Sequence, residues 1–271
     1  MKSIVTRRVV RVRAGAGAAG EDEVAVEEPL EIRVAGEALA VTMRTPGADR
    51  ELAVGFLFAE GVIAGSGDVG SVSHCGRPGT PAYGNAIDVV PGPGVSLAVE
   101  RVSASRRGTL TTSACGVCGR TSIEDIVARC VRVPAGAPVP AAVVAEAVER
   151  LRERQPTFDR TGGLHAAVVF TGAGEVLAAF EDVGRHNAVD KAVGSLVLSG
   201  GLGRAALLVV SGRASFEIVQ KAAVARVRAV ASISAPSSLA VDLAEATGIA
   251  LAGFVRSGQL TIYANAAGIA V

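Results

Sequence analysis

The sequence predicts an α/β protein. A three-layer α/β/α sandwich with a mixed sheet is expected over residues 122–271, a small α+β domain over 1–100, and a loop at 101–121 between them. Three observations carry this reading. From Val143 to Ala264, stretches of helical and strand period alternate in the order α-β-β-α-β-α-β-α-β-β, which a layered mixed sheet requires. The first hundred residues instead surround a single helical stretch with strand patterns. The two regimes meet at a polar, Arg-rich stretch, Val102 to Thr112.

At 271 residues the chain can bury a large core, and 49% of it is apolar. Aromatics are only 3%, so that core must be built from Val, Leu, Ile and Ala. Arg far outnumbers Lys, which suits phosphate recognition but is also what a GC-rich coding bias produces. The net charge of +1 gives no overall basic field, so nucleic acid is not an expected partner. Met1 to Ala16 lacks the unbroken apolar run of a signal peptide, and no stretch of about 20 apolar residues could span a membrane. A cytoplasmic protein with reduced thiols is expected.

In chain order, residues 3–13 and 23–43 read as strands, with 30–34 and 39–43 forming a hairpin around Ala35-Gly36-Glu37. Thr45-Pro46-Gly47 breaks the pattern. Arg50 to Glu60 is helical, with Leu52, Phe56 and Ala59 on one face and Gly61 as its C-terminal stop. Residues 86–90 and 95–99 read as short strands around Pro91-Gly92-Pro93-Gly94, and His74 and Cys75 as part of a variable surface loop. Further on, Val143, Val144, Ala147, Val148 and Leu151 mark one helix face. Strands follow at 164–170 and 175–180, then helices near 187–198, 216–227 and 238–246 alternate with strands at 205–211, 229–234 and 249–255, and 260–264 closes the series.

The chemistry should centre on Cys115-Gly116-Val117-Cys118-Gly119-Arg120. Gly116 and Gly119 allow a tight turn and close approach of a ligand. Arg120, with the start of a helix expected near Ser122, would stabilise a thiolate. A Cys-x-x-Cys pair also serves zinc sites and redox couples. Zinc would need two more ligands from Cys75, Cys130, His74, His165 and His186, none of which forms a second close pair. A thioredoxin-like couple would follow a strand, whereas here a polar loop precedes it. Cys130 suits packing better than chemistry.

Four turns between strands and helices gather the polar residues of the second half. These are Glu181-Asp182-Val183-Gly184-Arg185-His186-Asn187, Ser211-Gly212-Arg213-Ala214-Ser215, Ser234-Ala235-Pro236-Ser237-Ser238 and Arg256-Ser257-Gly258-Gln259. Helix N-termini with Gly, Ser and Arg suit phosphate or pyrophosphate, although ordinary capping would explain any one of them. The element order is similar to the cytidine-deaminase fold, whose zinc site needs His-x-Glu and Pro-Cys-x-x-Cys opening two helices. Here His186-Asn187-Ala188 and Ser211 to Ser215 stand there instead, so no resident metal is expected.

Taken together, Cys115 to Gly119, Glu181 to Lys191, Ser211-Gly212-Arg213, Ser234 to Ala240, Gly253-Phe254-Val255-Arg256, Thr45-Pro46-Gly47 and Glu51 to Leu57 resemble the formate dehydrogenase accessory sulfurtransferase family, FdhD. The resemblance implies sulfur taken from a cysteine desulfurase, held as a persulfide on Cys115 and passed to the molybdenum of a bis(molybdopterin guanine dinucleotide) cofactor for formate dehydrogenase. It implies that Phe254, Val255, Arg256, Ser257, Gly258 and Gln259 bind that cofactor. From the residues themselves we extend the binding set to Gly184, Arg185, His186, Asn187, Ser211, Gly212 and Arg213. Cys118 is read as a second thiol that assists release, GDP as a ligand of the same turns, and the assembly as a homodimer. A cofactor-binding chaperone without sulfur chemistry and a thiol redox protein are the competing readings.

Overall fold

A computed structural model describes residues 2–80, 83–97, 99, 130 and 132–271. The loop at 101–121 with Cys115 and Cys118, and the helical stretch expected at 123–130 up to its last residue, lie outside the described residues. Cys130 itself is half-buried and packs against the main core.

The chain opens with a ribbon of β1 (Ile4–Arg13) and β2 (Ala16–Ala25), joined by Ala14 and Gly15, both left-handed (φ 49° and 83°). That turn matches the right-handed twist of the strands. β2 is a strand that the sequence conceals. Its Ala, Gly, Asp and Glu residues have poor β-propensity, and it is specified by pairing, with Asp22 opposite Arg7 and Glu21 opposite Arg8.

β3 (Glu28–Val34) and β4 (Glu37–Arg44) form the expected hairpin over Ala35-Gly36. With β5 (Val69–Cys75) and β6 (Ala86–Pro91) they build a sheet ordered β4-β3-β6-β5, in which only β3 and β6 run parallel. Two expectations are corrected here. His74 and Cys75 end strand β5 and do not lie in a loop, and His74 Nε2 reaches Asp49 Oδ2 at 3.3 Å. No strand forms over Val95–Leu97, because Pro91-Gly92-Pro93-Gly94 ends the pairing and Val95 N turns back to Gly92 O. β5 supplies the missing partner, hidden by its small polar residues.

Helix α1 (Asp49–Ala59) follows a turn that Arg44 fixes from inside. The Arg44 side chain is fully buried, donating from Nε to Asp49 Oδ1 (3.0 Å) and from Nη2 to Asp49 Oδ2 (3.1 Å) and Gly84 O (3.1 Å). A planar fork suits this bidentate contact. The single apolar face expected for α1 is too narrow: Ala53, Val54, Gly55, Leu57 and Phe58 are buried as well, since α1 packs on both the first sheet and a second helix.

The second half contains β7 (Val139–Pro140), α2 (Ala141–Arg152), α3 (Pro156–Thr161), β8 (His165–Phe170), β9 (Val176–Asp182), α4 (Arg185–Ser199), β10 (Leu207–Val210), α5 (Phe216–Val224), β11 (Ala229–Ser232), α6 (Ser238–Thr247), β12 (Ala250–Arg256), β13 (Gln259–Ala264) and β14 (Ile269–Ala270). Six strands form one sheet ordered β13-β12-β11-β10-β8-β9, with β10, β11 and β12 parallel and the rest antiparallel. Alternate residues serve its two faces. Val168, Phe170, Leu207 and Val209 pack under α2, while Val169, Leu208, Val210 and Val230 pack under α4, α5 and α6. The mixed sheet with helices on both faces follows the expected order. Helix α3 and the two-residue strands β7 and β14 are too short for periodicity to reveal.

Among the described residues, no helix is long and apolar enough to cross a membrane. The core beneath α4 continues without a break through α1 into the first sheet.

Candidate functional site

The parallel strands β10, β11 and β12 end at one edge of the sheet, where turns toward helices leave backbone groups open, as in other open α/β sheets. The turns join hand to hand there. His186 Nε2 lies 3.1 Å from Ser215 Oγ, linking 184–187 to 211–215. Ser237 N donates to Ala214 O (3.0 Å), and Ala214 bridges Pro236. Phe254 N donates to Ser234 O (3.1 Å). Gly253 permits this last approach, since a Cβ there would come within 2.9 Å of Pro236 Cδ.

Buried charges set the first turn in place. Asp182 accepts from Gly184 N (2.8 Å), Asn187 Nδ2 (3.0 Å) and Thr45 N (3.2 Å), and pairs with Lys191 Nζ at 2.7 Å. Asn187 also donates to Met43 O (2.7 Å) and accepts from Thr42 Oγ1 (3.1 Å), and Lys191 donates to Thr45 O (2.9 Å). Asn187 therefore positions the turn, its amide held within the protein. Deeper, Lys221 Nζ contacts both oxygens of Asp190 (2.8 and 2.9 Å) and lies 3.5 Å from Glu217 Oε1. Burial pushes the Asp190 carboxyl up to about 6, although Lys221 pulls the other way.

The groups that the protein itself leaves without polar partners are different ones. Arg213 is exposed, and Arg185 keeps a buried Nε that has no hydrogen-bond partner. Gly184 opens α4 and Ser215 opens α5, and neither helix receives a side-chain cap, whereas Ser237 caps α6 by accepting from Ala240 N. The first N–H groups of α4 and α5 are thus available to an anion. Phe254 is held at φ 53°, a costly conformation for an aromatic residue, and is 45% exposed. Arg256, Ser257, Gly258 and Gln259 form the exposed end of the β12–β13 hairpin just beyond, while Val255 turns into the core beneath α2.

Sequence reasoning undervalued His165, weighing it only as a zinc ligand. It begins β8 beside Gly212, where a Cβ would meet its Nδ1 at 3.2 Å. Burial lowers its pKa below the ordinary 6.5, helped by the positive charges of Arg185 and His186 and opposed by Asp182. His165 and Ser211 line a cleft of about 570 Å³ that continues along Phe158, Gly162 and Gly163. A larger cavity of about 760 Å³, among Phe58, Ile63, Leu202 and Arg228, opens at the opposite, amino-terminal ends of β10 and β11, away from these turns. Among the described residues no group of three or more His, Cys, Asp or Glu side chains could hold a metal ion.

Residues 25–270 match the model of the FdhD/NarQ family. A sulfur carrier protein FdhD from Anaeromyxobacter dehalogenans is 59% identical over 256 residues, covering 92% of this chain and 89% of that protein. Another from Streptomyces coelicolor is 46% identical over 273 residues, covering 98% and 95%. The crystal structure of a candidate formate dehydrogenase accessory protein from Desulfotalea psychrophila superposes with a TM-score of 0.77 at 22% identity, covering 97% of each chain, and so shares the fold.

Proposed function

This chain belongs to the FdhD/NarQ family, and from that premise we propose that it is a sulfurtransferase that carries sulfur as a persulfide from a cysteine desulfurase to a molybdenum bis(molybdopterin guanine dinucleotide) cofactor. The recipient of the finished cofactor is formate dehydrogenase, and the cofactor is substrate, not a resident group. The proposed place of work is the cytoplasm, and the proposed assembly a homodimer.

The chemistry divides between thiols and turns. Cys115 thiolate attacks the outer sulfur of the donor persulfide, the donor S–S bond breaks, and the donor cysteine leaves as thiolate. Attack of Cys118 thiolate, or more slowly of an external thiol, on Cys115 Sγ then forms a disulfide and expels hydrosulfide to the molybdenum, and a second thiol as reductant returns the disulfide to free cysteine. The observation that supports a cofactor-binding role for this chain is the pair of uncapped helix openings at Gly184 and Ser215, with a buried, unpartnered Arg185 Nε at the first of them. A pyrophosphate supplies the acceptors that these donors lack. Arg213 is exposed and would join these donors on the phosphates, while the exposed hairpin end at 256–259 would meet the guanine halves.

Mass spectrometry after incubation with a cysteine desulfurase and cysteine tests the reading. Added mass of one sulfur is expected on Cys115 and absent in Cys115→Ala. Cells carrying only Cys115→Ala should lack formate dehydrogenase activity, with Cys118→Ala milder. Normal activity with Cys115→Ala would overturn the assignment.

A further inference from the structure

Ser215 occupies a position where a hydroxyl ordinarily accepts from a backbone N–H of its own helix, as Ser237 does for α6. It makes no such cap. Its Oγ lies 3.1 Å from His186 Nε2, and Nδ1 of the same ring lies 3.0 Å from Glu217 Oε2. One imidazole thus hydrogen-bonds a hydroxyl through one nitrogen, so that it can take the serine proton, and lies at ion-pair distance from a carboxylate with the other, which would stabilise the imidazolium so formed. The side chains of His186 and Glu217 are only 7% and 12% exposed, while Ser215 is half-buried.

We propose that Ser215 is a nucleophile, with His186 as its base and Glu217 as the carboxylate that stabilises the imidazolium, giving these turns an acyl-transfer activity on small anionic esters. Ser215 Oγ bonds to the ester carbonyl carbon as its proton passes to His186 Nε2. The oxyanion is met by N–H groups at the start of α5, which no side chain caps. His186 then returns the proton to the departing alkoxide as the C–O bond breaks. A water deprotonated by the same nitrogen releases the acyl group as carboxylate and restores the serine. The anionic preference comes from Arg185, whose unpartnered Nε belongs to a side chain lying against Gly212 in the same turn. No step uses a thiol, so the activity stands or falls independently of sulfur transfer.

The full chain is treated with a fluorophosphonate probe and its peptides weighed. In parallel it is assayed on p-nitrophenyl acetate and on mono-p-nitrophenyl succinate. A phosphonate adduct on Ser215 is expected, absent in Ser215→Ala and reduced about a hundredfold in rate in His186→Gln. Succinate-ester hydrolysis should exceed acetate hydrolysis in the natural protein, with that preference lost in Arg185→Gln. Circular dichroism confirms that each variant is folded, and Ser215→Cys, which keeps a nucleophile, should shift labelling to iodoacetamide. A folded natural protein left unlabelled at Ser215, or hydrolysis unchanged in Ser215→Ala, overturns the proposal.

Discussion

Arg213 and His165 show how two basic side chains beside Gly212 serve different ends. Arg213 is exposed and has room to close on a phosphate. Replacing it by Ala should weaken GDP binding about tenfold, the lower end of what a charge-assisted hydrogen bond contributes, because water screens an exposed guanidinium. Lys in its place should restore only part, since it offers a point charge in place of a fork. Calorimetric titration with GDP, GMP and ADP reads both effects, and unchanged affinity in Arg213→Ala would place the nucleotide elsewhere. His165 is held neutral by burial first and by Arg185 and His186 next. Removing one of those positive charges favours the imidazolium, so Arg185→Gln should move the His165 titration upward in an NMR pH series, toward 6.5. Because the folded value is depressed, the stability linked to His165 is present above pH 6.5 and is lost as pH falls through the folded value.

At the scale of elements, the crossing of α1 and α4 has no tolerance. A Cβ at Gly55 would lie 1.9 Å from Asp190 O, and one at Gly194 would lie 1.9 Å from Glu51 O, so the two backbones touch where both helices lack side chains. Gly55→Ala or Gly194→Ala should therefore destabilise by about 3 kcal/mol or more, despite the better helix propensity of Ala. Thermal melts check this, with an unchanged midpoint counting against the crossing. The crossing also shows where sequence reading stops. Glu51 to Leu57 displays helical period, but nothing in it says that Gly55 faces a second helix and not solvent. The β3–β4 hairpin and the alternation from α2 to β13 were legible, because long apolar periods and paired left-handed turn residues are local signals. β2 and β5 were not, because their residues become strands only through partners distant in sequence. In the site, the turns were legible by their Gly, Ser and Arg, while Asn187 and Val255 could not be told from ligand contacts, because burial is a property of the fold.

On the scale of the whole molecule, the boundary that composition suggests near residue 100 is crossed by a continuous core and a set of buried polar clamps. Thr42 and Met43 near the end of β4, and Thr45 just beyond it, hold Asn187 and Lys191 on α4 and Asp182 at the end of β9, and Lys221 on α5 holds Asp190 on α4. The first sheet could not separate from the second without exposing the apolar faces of α1 and α4 and leaving these charges unpaired. We therefore expect one cooperative transition in calorimetry, with equal van't Hoff and calorimetric enthalpies. Lys191→Met leaves Asp182 buried without its cation and should cost about 3–5 kcal/mol, lowering the midpoint of that single transition without splitting it. A fragment of residues 132–271 should bind a hydrophobic dye and fail to melt cooperatively, since the face of α4 that α1 covers would be open to water. Two resolved transitions in the full chain, or a cooperative melt of the fragment, would show that the halves fold separately and that the clamps at Thr45 serve only to aim the 184–187 turn.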